Sequence, residues 1–307
     1  MGHGIMFHHF HDDEHPKSQG SIDQETLVSM IEFLSLEYEI IDSDEFINKS
    51  LKKTLKDNEI CLTFDDALKC QYDVALPVLK QKGISAFFFV YSSAFKEKPD
   101  MLEIYRYFRT VKYSNIDEFY EEFFNLLRKD NSNLYKYHND IFQKINYLKH
   151  FEFYSENDRF FRYLRDVYLT KNDYHKYMKS LMNLNNFNIN EAKKKLWIEE
   201  KDLLKLFNTG HSIGLHSNSH PTVMSKLTFE EQYSEYYKNK QYLENILNNK
   251  NIISMAHPCG NYNRDTLQVL DELDIAIGFR ANMSKIKNRS LLEIPREDHA
   301  NIYKNMI

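Results

Sequence analysis

The sequence predicts an α/β fold in which a parallel sheet or barrel alternates with helices, and two observations carry this prediction. Short apolar runs with strand composition alternate with amphipathic helical patterns along most of the chain. Polar clusters follow these runs at their carboxyl ends, which is where parallel sheets and barrels form their active sites. Residues 99–190 break the alternation and keep helical spacing instead.

The first hundred residues supply three predicted strands and two of the predicted helices. Ser21, with Gln24 three residues later, predicts a capping box at the start of the first helix. Gly83 is expected to end the second helix, because glycine readily takes the left-handed conformation found there. The predicted strands are Ile5–Phe7, Ile60–Phe64 and Ile84–Tyr91.

The alternating pattern returns near Trp197 and continues to the end of the chain. A helix is predicted up to Gly210, and Thr228 with Glu231 predicts a capping box that opens a long helix. The further predicted strands are Ser212–Leu215, Ile252–Ala256, Ile275–Phe279 and Leu291–Ile294.

The region 99–190 is predicted to be a helical insertion in a barrel formed by residues 1–98 and 191–307. Turn signals nearly vanish in it, and one run keeps helical spacing: Ile116, Phe119, Tyr120, Phe123, Phe124 and Leu127. The insertion is a cap over the site, a dimerisation subdomain, or a packing subdomain without a chemical role. Its aromatic residues would suit a homo-oligomer surface, but the sequence leaves the oligomeric state open.

Charge and composition exclude several classes of protein. The net charge is −5 without a basic block, which gives no electrostatic basis for nucleic-acid binding. The longest apolar stretch, Ile84–Phe95, is too short for a membrane span, and the N-terminus lacks the pattern of a signal peptide. Cys61, Cys70 and Cys259 are odd in number and form no CxxC. We therefore expect a cytoplasmic protein without a disulfide framework.

Five polar clusters follow predicted strands and should converge on one face of the fold. They are His8 with His9, Asp65 with Asp66, His216 with His220, His257–Gly260, and Arg296 with Asp298.

Two of these clusters have the composition of a hydrolytic metal site. Adjacent carboxylates at a strand end point in different directions, so one of Asp65 and Asp66 can bind a metal while the other accepts a proton. Such a pair is also typical of turns and helix caps. Two histidines four residues apart, as in His216 and His220, can share one zinc or similar divalent ion, although such pairs also occur on surfaces. Pro221 directly after this pair, and an apolar strand before it, favour the metal site.

Three segments of the chain resemble the polysaccharide deacetylase family, also called the NodB-homology or carbohydrate esterase family four. They are Thr63-Phe64-Asp65-Asp66, His216-Ser217-Asn218-Ser219-His220 and Pro258-Cys259-Gly260-Asn261-Tyr262. The resemblance covers most of the chain outside the insertion. It implies a distorted (β/α) barrel with one divalent metal ion, for which we expect zinc.

The resemblance also implies roles for particular residues. Asp66, His216 and His220 would be the metal ligands, and Asp65 would be the general base on metal-bound water. The backbone N–H of Cys259 would stabilise the tetrahedral oxyanion. Since the side chain of Cys259 would then have no chemical role, we expect it to be a small buried filler.

The chain departs from the family in the third motif, where Ala256 stands in place of the usual Arg two residues before the Pro. In the family this Arg orients the catalytic Asp. Arg296 is the candidate to orient Asp65 instead. The alternative is that Arg296 forms a surface salt bridge with Asp298 or Glu293.

A second departure concerns a motif that members of the family often carry late in the chain. It contains a histidine that protonates the leaving amine, and this chain has no clear match to it. His299 is the sole histidine after His257, and its context does not match. His8 is a further candidate, as acid or as a substrate contact, because Ile5–Phe10 resembles the first strand of many relatives. The alternative is that the histidines of the first fifteen residues form a solvated terminus that binds metal adventitiously.

These observations predict a metal-dependent amidohydrolase, a carbohydrate N-deacetylase. The expected substrate is an N-acylated amino sugar, soluble or nucleotide-linked, used in surface polysaccharide biosynthesis. The same mechanism acting on an N-formyl group or on a non-sugar amide is one alternative. Another is a catalytically inactive carbohydrate-binding barrel, which the two departures favour and the intact Asp and His residues oppose. A zinc-stabilised structural protein is disfavoured, because three ligands with an open position are typical of catalytic sites.

Overall fold

The structure is a computed structural model that describes residues 2–96, 99–149 and 154–306. The chain divides into two compact units. The first consists of Met1–Asp100 and Lys193–Ile307, and the second is Met101–Ala192. Residue 98, at which the sequence predicts the first boundary, lies outside the described residues.

The first unit contains an eight-stranded sheet in which every pair of neighbouring strands is parallel. The strands are β1 His3–Phe7, β2 Glu39–Ile40, β3 Glu59–Asp65, β4 Phe87–Val90, β5 Ser212–Leu215, β6 Ser254–Ala256, β7 Ile277–Phe279 and β8 Arg296–Asp298. Their order is β7-β6-β5-β4-β3-β1-β8, and β2 pairs with the start of β3. A further parallel bridge joins Phe279 to Ile294, just before β8, so the sheet nearly closes into a barrel. The predicted (β/α) barrel is confirmed.

Helices occupy most of the remaining described chain. In chain order they are α1 Gln24–Leu34, α2 Ser43–Lys52, α3 Leu76–Lys82, α4 Met101–Lys112, α5 Ile116–Asp130, α6 Ser132–Phe142, α7 Glu156–Tyr163, α8 Lys171–Leu184, α9 Ile189–Leu196, α10 Glu200–Asn208, α11 Phe229–Leu247, α12 Arg264–Glu272 and α13 His299–Met306. The predicted capping box of Thr228 and Glu231 is present at α11, and Gly83 ends α3 with a φ of 67°. In the described part of the chain, no helix combines the length and apolar composition needed to cross a membrane.

Two local predictions are wrong. The first helix is capped by Asp23, whose side chain accepts the N–H of Thr26, rather than by Ser21. The predicted strand Leu291–Ile294 is instead a 3₁₀ turn, Leu291–Glu293, because Ser290 and Glu293 form a capping box that bends the backbone. The strand begins later, so Arg296 lies inside β8 rather than after a strand.

The strand register brings two of the predicted polar clusters to the same edge of the barrel. Asp65, the last residue of β3, pairs with Phe89 of β4. Val90 of β4 pairs with Leu215, the last residue of β5. Asp66 and His216 therefore leave nearby strands at the same carboxyl-terminal edge.

The second unit is helical and is held together by aromatic packing. The ring of Phe161 in α7 lies 5.2 Å from Phe119 and 5.0 Å from Phe123, both in α5 (centroid distances). The guanidinium carbon of Arg109 lies 5.5 Å from the ring centroids of both Phe119 and Phe161. Such edge-to-face and cation–π contacts stabilise a core that has few aliphatic side chains. A role for this unit as a cap or a dimer surface stays a prediction.

Candidate active site

Asp65 and Asp66 diverge because the backbone turns between them. Asp65 ends β3 in extended conformation, whereas Asp66 has a φ of 80°, in the left-handed region that Asp tolerates better than most residues. The N–H of Asp66 donates to the carbonyl oxygen of Phe89 at 3.0 Å, which fixes this turn against β4. Both carboxylates are buried.

The carboxylate of Asp66 faces two imidazoles in a geometry that fits a metal ion. Its Oδ1 lies 3.4 Å from Nε2 of His216 and 3.4 Å from Nε2 of His220. Two ligands about 2.1 Å from a tetrahedral ion would be about 3.4 Å apart. Asp66 Oδ1 is buried, and no donor in the described ranges bonds to it. A buried acceptor without a donor is rare in proteins, and a cation bound by these three residues would satisfy it.

A backbone carbonyl sets the tautomer of His216. Its Nδ1 lies 2.8 Å from the carbonyl oxygen of Ala256. Because a carbonyl oxygen can only accept, Nδ1 carries a proton in this contact, so in the neutral imidazole the lone pair is on Nε2, which faces Asp66. This is the tautomer that a metal ligand requires.

The second histidine faces a carboxylate that the sequence analysis missed. Nδ1 of His220 lies 3.4 Å from Oδ2 of Asp100. A carboxylate on the outer nitrogen of a ligating histidine is a common arrangement around zinc. No motif marks Asp100, which is separated from His220 along the chain by the second unit, Met101–Ala192.

The charges of these groups are coupled in the metal-free protein. Burial opposes ionisation of Asp66, but His220, His216 and His8 lower its pKa well below the usual range. Burial likewise opposes protonation of His220, yet Asp66 and Asp100 raise its pKa to about 9. A metal ion would therefore compete with a proton for Nε2 of His220.

Asp65 forms an ion pair with Arg296 and does not belong to the group of possible metal ligands. Nη1 and Nη2 of Arg296 donate to Oδ1 and Oδ2 of Asp65, both at 2.7 Å. The guanidinium is itself fixed, since Nε donates to the carbonyl oxygen of Arg280 at 2.7 Å and Nη1 to the Thr63 hydroxyl at 3.2 Å. Burial would raise the pKa of Asp65, but Arg296 and then His216 lower it below its ordinary value. Asp65 is therefore an anion held in one orientation.

The alternative interpretation, that Arg296 forms a surface salt bridge, is wrong. Arg296 is 1% exposed and points to Asp65. Glu293 bonds to the hydroxyl of Tyr262 and to Ser290, and Asp298 caps the N–H of Ala300.

His8 reaches the same site from the segment after β1. Its Nε2 lies 3.8 Å from Oδ2 of Asp65 and 4.0 Å from Oδ2 of Asp66, and its side chain is 31% exposed. Gln71, which no motif marks, donates from Nε2 to the carbonyl oxygens of His8 (2.8 Å) and Asp65 (2.6 Å). The side-chain amide of Gln71 therefore links the segment after β1 to the end of β3.

Two later histidines bond to backbone carbonyls and form no described hydrogen bond to Asp65 or Asp66. Nε2 of His257 bonds to the carbonyl oxygen of Leu292 at 2.8 Å, and the ring stacks on Tyr262. His299 contacts the carbonyl oxygens of Met6 (3.2 Å) and Gly20 (2.9 Å). Neither bonds to the two Asp residues, so the structure offers no late histidine at the site among the described residues.

Cys259 lies in the 3₁₀ turn Pro258–Gly260, directly after the histidine that follows β6, and has a φ of 51°. Its side chain is exposed, so the expectation of a buried filler is wrong. Within the described ranges the three cysteines form no disulfide with one another.

The comparisons with known proteins concern the family and the fold of the chain. The family model described as polysaccharide deacetylase matches residues 52–107 and 172–278, which is more than half of the chain. The matched segments contain Asp65, Asp66, His216, His220 and Cys259. No curated protein matches the chain by sequence.

Solved structures with a similar fold have low sequence identity. The deacetylase PplD of Streptococcus pyogenes, solved in complex with acetate, has a TM-score of 0.57 and 17% identity, covering 96% of this chain and 90% of its own. IcaB of Ammonifex degensii has a TM-score of 0.56 and 12% identity over 96% and 90% of the two chains. A de-N-acetylase of Aggregatibacter actinomycetemcomitans has a TM-score of 0.56 and 11% identity over 100% and 99%. At this identity the likeness supports the fold alone.

Proposed function

Because the chain belongs to the polysaccharide deacetylase family, we propose that it hydrolyses the N-acetyl amide of an amino sugar at a divalent metal ion held by Asp66, His216 and His220. The observation that carries the proposal is the buried Oδ1 of Asp66, which has no hydrogen-bond donor among the described residues and lies 3.4 Å from both Nε2 atoms. Two imidazoles and one carboxylate, with further positions left for water and substrate, favour zinc. When bound, the ion would polarise the amide carbonyl and make the attacking water more acidic.

Asp65 is the proposed general base. It does not belong to the metal-ligating group, yet its Oδ2 lies 3.9 Å from Nε2 of His216, at the edge of that group. Arg296 keeps it ionised and oriented, so it can accept the proton of the attacking water at neutral pH. This pairing supports the idea that Arg296 takes the role left open by Ala256.

Proton delivery to the leaving amine is assigned to His8, which can alternatively contact the substrate. Its partial exposure lets it meet a bound sugar, and its Nε2 is close to Asp65. The backbone N–H of Cys259 is the proposed oxyanion donor. In support, its turn closely follows Ala256, whose carbonyl bonds to His216.

Acetyl is proposed as the acyl group because the similar solved proteins include a de-N-acetylase and a deacetylase bound to acetate. A soluble or nucleotide-linked sugar, a role in surface polysaccharide biosynthesis and a cytoplasmic location stay predictions. N-formyl or non-sugar amides remain the sibling alternative. A carbohydrate-binding barrel without activity is disfavoured, because a pure binder has no need for the buried pair of Asp65 and Arg296.

The test compares the wild type with a His216→Ala/His220→Ala variant and with a His11→Ala/His15→Ala control. About one ion per chain in the wild type and control, but not in the variant, is expected by elemental analysis. The metal-loaded wild type should then release acetate from N-acetyl amino sugars, offered as nucleotide-linked monomers and as oligomers. Metal that survives in the variant would contradict the ligand set. Bound metal without release of acetate from any of these sugars, and without release of formate from their N-formyl counterparts, would favour the inactive barrel.

A further inference from the structure

Helix α11 contacts the segment 216–220 through two side chains that no motif marks. Glu235 and Asn239 are four residues apart, so they lie on the same face of the helix. The buried amide of Asn239 accepts the N–H of His216 at 3.0 Å and donates to the carbonyl oxygen of Val90 at 3.0 Å. It therefore fixes the backbone of the first histidine to β4.

Glu235 binds the backbone between the two histidines. Its Oε2 accepts the N–H groups of Asn218 (3.0 Å) and Ser219 (2.7 Å). Its Oε1 accepts the hydroxyl of Ser219 at 2.8 Å. Hydrogen bonds to a carboxylate are roughly twice as strong as neutral ones, so Glu235 binds this part of the segment strongly.

The segment needs such support because its backbone is in an unfavourable conformation. Ser217 has a φ of 66° and His220 a φ of 53°, both in the left-handed region that residues other than glycine rarely adopt. Conformations of this kind persist where the surroundings hold them in place, and they concentrate at functional sites. The two N–H groups that Glu235 binds lie between these two residues.

We propose that Glu235 is a positioning residue for the metal site, which holds the segment 217–220 so that Nε2 of His220 faces Asp66. The inference rests on the proposed function, because it takes His220 as a metal ligand. Glu235 acts through the backbone and touches neither the ion nor the substrate. Its loss should therefore weaken metal binding and distort the coordination geometry without removing a ligand.

The experiment measures Co²⁺ binding to the metal-free protein by visible absorption and by competition with a chelator. The variants are Glu235→Ala and Glu235→Gln, with Glu230→Ala as a control, since Glu230 is an exposed acid on the same helix. Glu235→Ala should weaken Co²⁺ binding about 10- to 100-fold and change the absorption spectrum. Glu235→Gln should lose less, because its amide oxygen can still accept the two N–H groups. Glu230→Ala should match the wild type in affinity and spectrum.

The outcomes separate this inference from the proposed function. Affinity and spectrum of Glu235→Ala equal to those of Glu230→Ala would overturn the positioning role. If Glu235→Ala does not fold, Glu235→Leu replaces it, because leucine fills similar space but offers no acceptor, and an unchanged affinity and spectrum there would overturn the positioning role as well. A wild type that binds no Co²⁺ would instead refute the proposed metal site itself.

Discussion

The two halves of the site differ in how completely the buried carboxylate oxygens are hydrogen-bonded by other groups of the protein. In the proton half, formed by Asp65 and Arg296, both carboxylate oxygens accept hydrogen bonds from a guanidinium at 2.7 Å. In the metal half, Oδ1 of Asp66 faces two imidazole nitrogens and accepts no hydrogen bond within the described residues. In the proton half the hydrogen-bonding groups of the protein satisfy each other. In the metal half a buried acceptor is left that a bound cation would satisfy.

This difference predicts that the metal half controls affinity for the ion, whereas the proton half controls turnover, pH dependence and folding stability. Removing a group from the metal half should change affinity for the ion, because the protein offers no substitute ligand there. Removing a group from the proton half should leave the ion bound but change turnover, pH dependence and folding stability, since a buried charge loses its partner. The variants below test this division, from the largest expected effect to the smallest.

Asp65→Asn should produce the largest loss of turnover with metal retained. The amide cannot accept the proton of the attacking water, so kcat should fall about 10³- to 10⁴-fold. Metal content should stay near one ion per chain, because Asp65 is not among the three ligating groups. Acetate release and elemental analysis on the same preparation check this, with Asp298→Asn as the control. Near-wild-type turnover would rule out Asp65 as the base.

Arg296→Met should move the acid limb of the pH–rate profile to higher pH. In the wild type Arg296 keeps the pKa of Asp65 below its ordinary value, although burial opposes this. Without the guanidinium, burial would be opposed only by the weaker effects of His216 and His8, so the pKa should rise and the base should be protonated at a pH where the wild type is active. Turnover at neutral pH should also fall about 10²-fold, because the carboxylate loses its orientation.

The same substitution predicts a change in stability, measured by denaturant unfolding. Breaking a buried pair from one side should lower the free energy of unfolding by about 3–5 kcal/mol. The depressed pKa of Asp65 stabilises the fold above its unfolded value near pH 4, and this stabilisation is lost as the pH falls through the folded value. The variant should lack that pH dependence. Arg264→Met, at an exposed position of α12, serves as the control for both measurements. A pH–rate profile identical to that of the control would contradict the orienting role.

His8→Ala should reduce turnover less, by about 10- to 100-fold. The side chain is 31% exposed, so water can replace it as the proton donor in part. Loss should be smaller for substrates with an activated leaving amine, which need less help from an acid. His15→Ala is the matched control, because His15 lies on the same segment but pairs with Asp73 at 3.0 Å. If His8→Ala raises KM and leaves kcat unchanged, His8 is a substrate contact rather than the acid.

The sequence predicted the barrel and the residues that meet in it, because both follow from local patterns. The apolar runs and the polar residues at their carboxyl ends are readable along the chain, and parallel strands bring those ends together. Asp66, His216 and His220 also lie in short motifs. Arg296 was found by its position near a strand end, although the strand itself was predicted too early in the chain.

The supporting residues could not be predicted, because their contacts arise between distant segments. Gln71 bonds to His8, Glu235 bonds to Ser219, and Asp100 lies 3.4 Å from His220, although the second unit separates them along the chain. A single Gln, Glu or Asp carries no spacing that separates such a role from a solvated side chain. The histidine expected to protonate the leaving amine shows that a suitable residue type in the sequence does not establish a role. His257 follows a strand and His299 is the last histidine of the chain, yet the rings of both bond to backbone carbonyls.

Asp100→Asn should have the smallest effect, and its pH dependence should identify the cause. Asp100 strengthens His220 as a ligand through Nδ1, so its loss should weaken metal binding by about tenfold where His220 is unprotonated. However, Asp66 and Asp100 also raise the pKa of His220 to about 9, against burial, so below that pH a proton competes with the ion. The variant lowers this pKa and relieves the competition. The loss of affinity should therefore be about tenfold near pH 9.5 and smaller at pH 7, as measured by chelator competition against Asp271→Asn, an exposed control. A loss that is equal at both pH values would show that Asp100 does not act through the ring of His220.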